Sequence, residues 1–154
     1  MANLKYSRIL LKISGESFKG GLPFGQDHDA ISSLVKDIST LQQAGIKLGI
    51  VVGGGNFLRG RDDNGIDRAS ADYMGMLATV MNSLALQSTL ESNGIKSKVF
   101  SSVPMESICY TYARSKALNT IEDNIVILSG GTGNPFVSTD TAAVCRAVEM
   151  RCDV

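Results

Sequence analysis

The sequence is poor in the residues that most often build a catalytic or metal centre. It has one histidine, His28, in 154 residues, which excludes a site needing two or three imidazoles and argues against a His-dependent triad or a zinc hydrolase. Its three cysteines, Cys109, Cys145 and Cys152, are odd in number and lack C-x-x-C spacing. They read as small thiols in a reducing compartment, not as a disulfide framework. Neither sign of charge predominates, with 15 basic against 15 acidic residues, so the summed charge gives no footprint for nucleic acid or an anionic membrane. Long apolar runs are missing too. The most apolar stretch, residues 74–90, is interrupted by Thr79, Asn82, Ser83, Gln87, Ser88 and Thr89 and falls short of a membrane span. Lys5 and Arg8 flank only short apolar runs, with no signal-peptide core after them. These absences predict a cytoplasmic protein that binds neither nucleic acid nor membrane.

What is present is a globular composition, 44% hydrophobic and 19% charged, in a length suited to one domain. Glycine is abundant, at sixteen residues, and it falls after apolar runs. Four such runs read as strands: residues 7–13 (SRILLKI) before SGE, 46–52 (IKLGIVV) before GGGN, 95–100 (IKSKVF) before SSVP, and 125–129 (IVILS) before GGTGNP. Runs this short and this rich in Ile, Val and Leu indicate strands buried on both faces, as in a parallel sheet. Ile31, Leu34, Val35, Ile38 and Leu41 follow a helical rhythm behind Asp27 or Asp29 as N-cap, with Gly45 past the end. A longer helix is predicted from Asp67 to Ser92, with Met74, Leu77, Ala78, Met81, Leu84, Ala85 and Ser88 on its core face. Shorter helices are expected over residues 110–118 and from Thr139 or Asp140 to Met150. The alternation predicts a single α/β domain, an open and mostly parallel sheet with helices on both faces. A further strand is expected to begin at residues 151–154, which suggests a chain that continues beyond this point in its natural form.

In such a sheet ligands collect outside the carboxyl ends of the strands. Three of the four predicted strand ends are glycine-rich. Backbone N–H groups in a glycine turn can point at one anion, and a helix N-terminus adds partial positive charge. Gly53, Gly54, Gly55 and Asn56, and the run from Gly130 to Asn134, both suit this role, although each alone also fits a plain tight turn. A P-loop is absent, and neither glycine cluster completes a dinucleotide fingerprint. Lys12 ends the first strand beside Ser14 and Gly15, where an ammonium can reach a transferring phosphoryl group. The alternative is a solvated edge lysine. Arg59 could clamp phosphate through its planar fork, or be one surface charge among Arg61, Asp62 and Asp63. Asp72 could accept from ribose hydroxyls, or cap the long helix. Thr132, Asn134, Ser138, Thr139 and Asp140 bring polar groups around Pro135 and Phe136, a set able to bond a pyrimidine edge and a phosphate, while Thr139 and Asp140 also suit helix caps.

Four motifs, in order along the chain, carry a family resemblance: LLKISGE at 10–16, VVGGGNFLRG at 51–60, DYMGMLATVMNSLAL at 72–86 and GTGNPFVSTD at 131–140. Together they resemble the bacterial-type uridylate kinases of the amino acid kinase superfamily; the first two are shared loosely across the superfamily and the last two are the specific ones. The resemblance implies an α/β/α sandwich of which this chain is the N-terminal, UMP-binding portion. It implies transfer of the ATP γ-phosphate to UMP, giving UDP and ADP on the route to UTP and CTP, with Mg²⁺ and no protein metal ligands assigned. Carried over by motif, Lys12, Ile13, Ser14, Gly15, Gly55 and Arg59 fall on the ATP side, with Lys12 and Asp140 at the reacting phosphates. Gly54, Asp72, Thr132, Gly133, Asn134, Pro135, Phe136, Val137, Ser138 and Thr139 would hold UMP. Residues 20–25 correspond to a loop associated with GTP activation, and the family is typically a homohexamer. The sequence departs from the family at Phe57-Leu58, where Leu-Phe is common, at Tyr73, where His is common, and at Val137-Ser138, where Phe-Thr is usual. The carboxyl-terminal half, which in the family supplies most of the adenine pocket and a catalytic aspartate, is not in these 154 residues, so turnover by them alone is not expected. Two other readings stay open: a superfamily member acting on a carboxylate or carbamate, and a non-catalytic nucleotide-binding or oligomerisation module.

Overall fold

The computed structural model describes residues 5–58 and 65–154. Five strands, β1 (Arg8–Ile13), β2 (Lys47–Val52), β3 (Ser97–Ser101), β4 (Tyr110–Thr111) and β5 (Ile125–Ser129), form one sheet in the order β1-β2-β5-β3-β4. Every pairing is parallel. The predicted open α/β sheet is therefore the observed one. The additional strand, β4, has two residues, too few for any periodicity to announce, and it displaces the start of the following helix from 110 to Arg114.

Helices α1 (His28–Gln43) and α2 (Arg68–Ser92) cover one face of the sheet; α3 (Arg114–Thr120) and α4 (Thr139–Glu149) cover the other. Right-handed crossovers dictate this split. The chain moves one way across the sheet from β1 through β2 to β3, then back from β4 to β5, so the returning helix must lie on the opposite face. Alternate strand residues feed the two cores. Ile9, Leu11, Ile13, Leu48, Ile50, Val52 and Ile127 pack with Ile31, Val35, Ile38, Leu86 and Leu90. Leu10, Val51, Val126 and Leu128 pack with Ala117, Ile121, Ala143 and Met150. Asp27 caps α1 by accepting from the Ala30 N–H at 2.8 Å. Beyond α4, residues 153–154 run along the outer edge of β1, where Asp153 N–H donates to Arg8 C=O and Leu10 N–H to Val154 C=O.

The buried face of α2 is only partly the predicted one: Ala78 is buried and Leu84 and Ala85 pack against the core, but Ser88 is exposed. Met74, Leu77 and Met81 are 44–50% exposed, and the residues turned inward include Thr79, Asn82 and Ser83 with Leu86 and Leu90. Burying these polar groups is favourable because each finds a hydrogen bond, Asn82 and Thr79 to loop backbone at the strand ends and Ser83 to the Thr79 carbonyl. The apolar count of the helix is high on both sides, so hydrophobicity alone could not pick the inner face.

Three carboxylates anchor long-range contacts and are held below their ordinary values. The Lys47 ammonium hydrogen-bonds Glu122, with Arg8 adding to it. The Arg8 and Ser7 backbone N–H groups bond Asp153. At Glu149 burial pushes upward, but hydrogen bonds from Tyr112 and Arg146 outweigh it. A depressed folded value gives stability that is complete above the unfolded one and is lost as pH falls through the folded one. Thermal midpoints should therefore hold steady above the ordinary Glu value of 4.5 and fall below it; Glu149→Gln should flatten part of that acid-side slope, as followed by circular dichroism against pH.

Candidate functional site

The loop after β2 leads to α2 on one face, and the loop after the adjacent β5 leads to α4 on the other. Their divergence opens a crevice at the carboxyl ends, the switch point at which open α/β sheets bind ligands. Residues 53–58 and 130–138 form its two lips. Gly54, Gly55, Asp72, Gly75, Gly131 and Thr139 line it together with Met76 and Thr79, around a cleft of about 130 Å³. Broader concavities lie at the amino ends of the strands, one of about 430 Å³ beside Lys47, Glu122 and Asn124 and one of about 850 Å³ beside Lys96, Lys98 and Asp123. They hold neither cluster of consecutive glycines, so the smaller crevice is the better anion site despite its size.

Glycine is required where the loops meet. A Cβ on Gly15 would fall 2.5 Å from the Gly55 backbone nitrogen and 2.8 Å from Asn56 Oδ1; one on Gly53 would fall 2.8 Å from the Gly15 nitrogen. The β1 and β2 turns thus touch backbone to backbone. Gly54 presses equally close to α2, where a Cβ would meet the Gly75 carbonyl at 2.6 Å. A buried amide network locks this junction: Asn82 donates to Gly53 C=O at 2.8 Å and to Asn56 Oδ1 at 2.7 Å, and Asn56 donates to Gly25 C=O at 2.7 Å. Gln26 joins through Asn82 Oδ1 at 2.9 Å.

Lys12 lies on the α4 side of β1, and its ammonium sits 2.9 Å from Asp140 Oδ1 in the first turn of α4. The two residues assigned to the reacting phosphates are brought together. Ser14 begins the 3-10 turn of Gly15–Phe18 and accepts from the Glu16 N–H at 3.3 Å. Ile13 turns its side chain into the core, and its carbonyl accepts from Gly53 N–H at 2.9 Å. Arg59 lies outside the described residues.

On the other lip, Asp72 is in the second turn of α2 and does not cap it; Asp67 does, accepting from Ser70 N–H at 3.0 Å. Asp72 instead accepts from Arg68 Nε at 3.1 Å and, across the crevice mouth, from the Phe136 N–H at 2.8 Å. Phe136 is 67% exposed and holds a φ of +66°, a strained conformation for a bulky residue; Arg68 stacks over its ring at 5.8 Å. Ser138, not Thr139 or Asp140, caps α4 and accepts from Thr141 N–H at 3.2 Å. Asn134 N–H bonds Thr132 Oγ1 at 3.3 Å, and Gly133 N–H closes the turn onto Gly130 C=O at 2.9 Å. Pro135 is half-buried in the same arm, and Val137, although exposed, lines the crevice. Sequence reasoning missed Thr79, Asn82 and Ser102 as supports for these loops. Their signal was polar side chains amid apolar neighbours, read only as evidence against a membrane span for the two on α2.

Gly15→Ala should separate the two turns and destabilise the fold by about 1–3 kcal/mol or more. Gly75→Ala, where a Cβ meets nothing within 4 Å, should stabilise α2 by about 0.5–1 kcal/mol. Urea unfolding of both variants measures the contrast.

Comparison with known proteins gives a consistent placement. The amino acid kinase family matches residues 7–154. Over 156 residues the chain is 53% identical to a uridylate kinase of Rickettsia bellii, covering 99% of this chain and 65% of the relative. A uridylate kinase of Wolbachia sp. subsp. Brugia malayi is 52% identical over 155 residues, with 99% and 63% covered. Among solved structures, UMP kinase from Bacillus anthracis superposes with a TM-score of 0.92 at 36% identity, over 97% of this chain and 63% of that one. UMP kinase from Ureaplasma parvum gives 0.88 at 32%, over 94% and 65%. The chain thus spans a little under two thirds of the length of these relatives. With residues 7–154 matched by the family, the chain belongs to the amino acid kinase family.

Proposed function

We propose that this chain is the UMP-binding portion of a uridylate kinase, one that transfers the γ-phosphate of ATP to UMP to give UDP and ADP in pyrimidine nucleotide synthesis. The observation that carries the reading is the backbone contact of the β1 and β2 turns beside the Lys12–Asp140 pair, next to a crevice lined by Gly54 and Gly55 on one side and by Gly131, Val137 and Thr139 of the GTGNPFVSTD segment on the other. Phosphoryl transfer asks little covalent chemistry of a protein; positioning and charge stabilisation do most of the work. Lys12 supplies the positive charge for the transferring group, and Asp140 holds that ammonium in place until phosphate oxygens take over. Ser14, Gly15 and Gly55 form the floor on the ATP side, while Gly54, Asp72 and residues 132–139 face UMP, with Asp72 placed for the ribose hydroxyls.

Among the described residues no group of three His, Cys, Asp or Glu side chains could hold a metal. Asp140, the carboxylate paired with Lys12, fits the way Mg²⁺ is usually held, through one or two carboxylates and the substrate's own phosphates. When bound, the ion neutralises phosphate charge. A homo-oligomer, a hexamer by family resemblance, is supported by the exposed Tyr73, Met74, Leu77 and Met81 along α2. A GTP response through residues 20–25 is supported by the bonds from Asn56 to Gly25 and from Gln26 to Asn82. No described helix is long and apolar enough to cross a membrane.

Calorimetric titration with UMP, CMP, N-acetylglutamate and carbamate tests the substrate class: UMP should bind, and binding of an acid without UMP overturns the assignment. Where ADP release is coupled to UMP, Lys12→Ala should lower kcat at least about a hundredfold with UMP affinity little changed; an equal loss of UMP binding would place Lys12 on the acceptor.

A further inference from the structure

We infer that Arg146, acting through Ser102, is a positioning residue that sets the glycine turn at residues 130–133 and with it the nucleotide lip of the crevice. The ligand named here rests on the UMP reading; the geometry does not.

Arg146 lies on α4 with 9% of its surface exposed. A guanidinium so placed is costly unless its donors are satisfied. Its Nη1 donates to Glu149 Oε2 at 2.6 Å, and its carbon centre sits 3.9 Å over the Tyr112 ring. Tyr112 in turn donates to the same Glu149 oxygen at 2.6 Å. Those contacts fix the plane of the fork and aim its other nitrogen, Nη2, at Ser102 Oγ, 2.8 Å away. Guanidinium has donors only. The Ser102 hydroxyl must therefore accept from Arg146, and its single proton goes onward to the Gly131 carbonyl at 2.8 Å. The relay has one direction, from α4 into the turn.

The opposite side of the turn is gripped by α2, where Thr79 Oγ1 accepts from Gly130 N–H at 2.7 Å. Between the two grips lie Gly130 and Gly131, and Gly133 follows, with φ values of +73°, +56° and +84°. Three glycines in this region are pliable on their own. Gly131 lines the crevice, and a Cβ there would meet nothing within 4 Å, so packing does not hold it. Its carbonyl is held by Ser102, and Ser102 is held by Arg146. Arg146 lines none of the crevice itself, and so acts only through this chain of bonds.

Ser102→Ala, Arg146→Lys and the double variant test the relay with two readouts. Hydrogen exchange at the Gly133 amide, which bonds Gly130 C=O, reports the turn directly; titration with UMP reports its use. Each single variant should speed Gly133 exchange and weaken UMP about tenfold, the scale of one charge-assisted hydrogen bond. The double variant should lose no more than the worse single, because both cut one relay. A purely structural Arg146 would lower the thermal midpoint while Ser102→Ala left Gly133 exchange and UMP affinity as they were. That result, or additive losses in the double variant, overturns the inference. If the unaltered protein binds no UMP, the functional reading fails, and Gly133 exchange still decides whether the relay exists.

Discussion

The constraint on which the site depends is a backbone-to-backbone contact that leaves no room for a side chain. Gly15 rests on Gly54 and Gly55, and Gly54 rests on α2 at Gly75, Ala78 and Thr79. Because β1 and β2 are parallel neighbours in register from Arg8 with Lys47 to Ile13 with Val52, their chains leave the sheet side by side. Only glycine lets two such turns close without a gap. The rest of the cleft is arranged around that junction, with Lys12 one residue inside the end of β1 and Asn82 bonding the Gly53 carbonyl from behind.

Much of this architecture was legible from the residues. Parallel strands must end on the same side of a sheet, so three apolar runs followed by glycine already implied turns gathered at one edge. Helix α1 was legible because its apolar residues keep one stripe, and Lys12 because a lysine after Leu10 and Leu11 at a strand end has few reasons to be there. Helix α2 was not, since apolar residues lie on both its sides and the choice of inner face was made by Thr79 and Asn82, whose partners are 51 and 29 residues away. No spacing rule carries that information. The same holds for Asp72, which reads as a cap until Asp67 is seen doing that task, and for Ser138, whose hydroxyl is taken up at the head of α4.

Buried polar groups here sit behind the loops, on α2 and at the ends of β3 and β5. Asn56 and Asn82 are 3% and 0% exposed, and Thr79 and Ser101 are 3% and 0%. A hydrophobic core tolerates repacking with small shifts, whereas a hydrogen-bonded amide cluster has one satisfied arrangement and a steep penalty for others. Placing the latter under the turns gives rigid loops on a scaffold that is itself ordinary, and a preorganised anion site needs that rigidity.

Helix α4 meets the cleft at two points. Asp140 in its first turn holds Lys12, and Arg146 sits six positions on, about 9 Å along the axis at 1.5 Å per residue, where it reaches the opposite lip through Ser102. One stiff rod therefore touches both the strand that carries the ammonium and the turn that faces it. Tilting that rod would disturb both contacts at once, so the ammonium and the turn share one rigid reference.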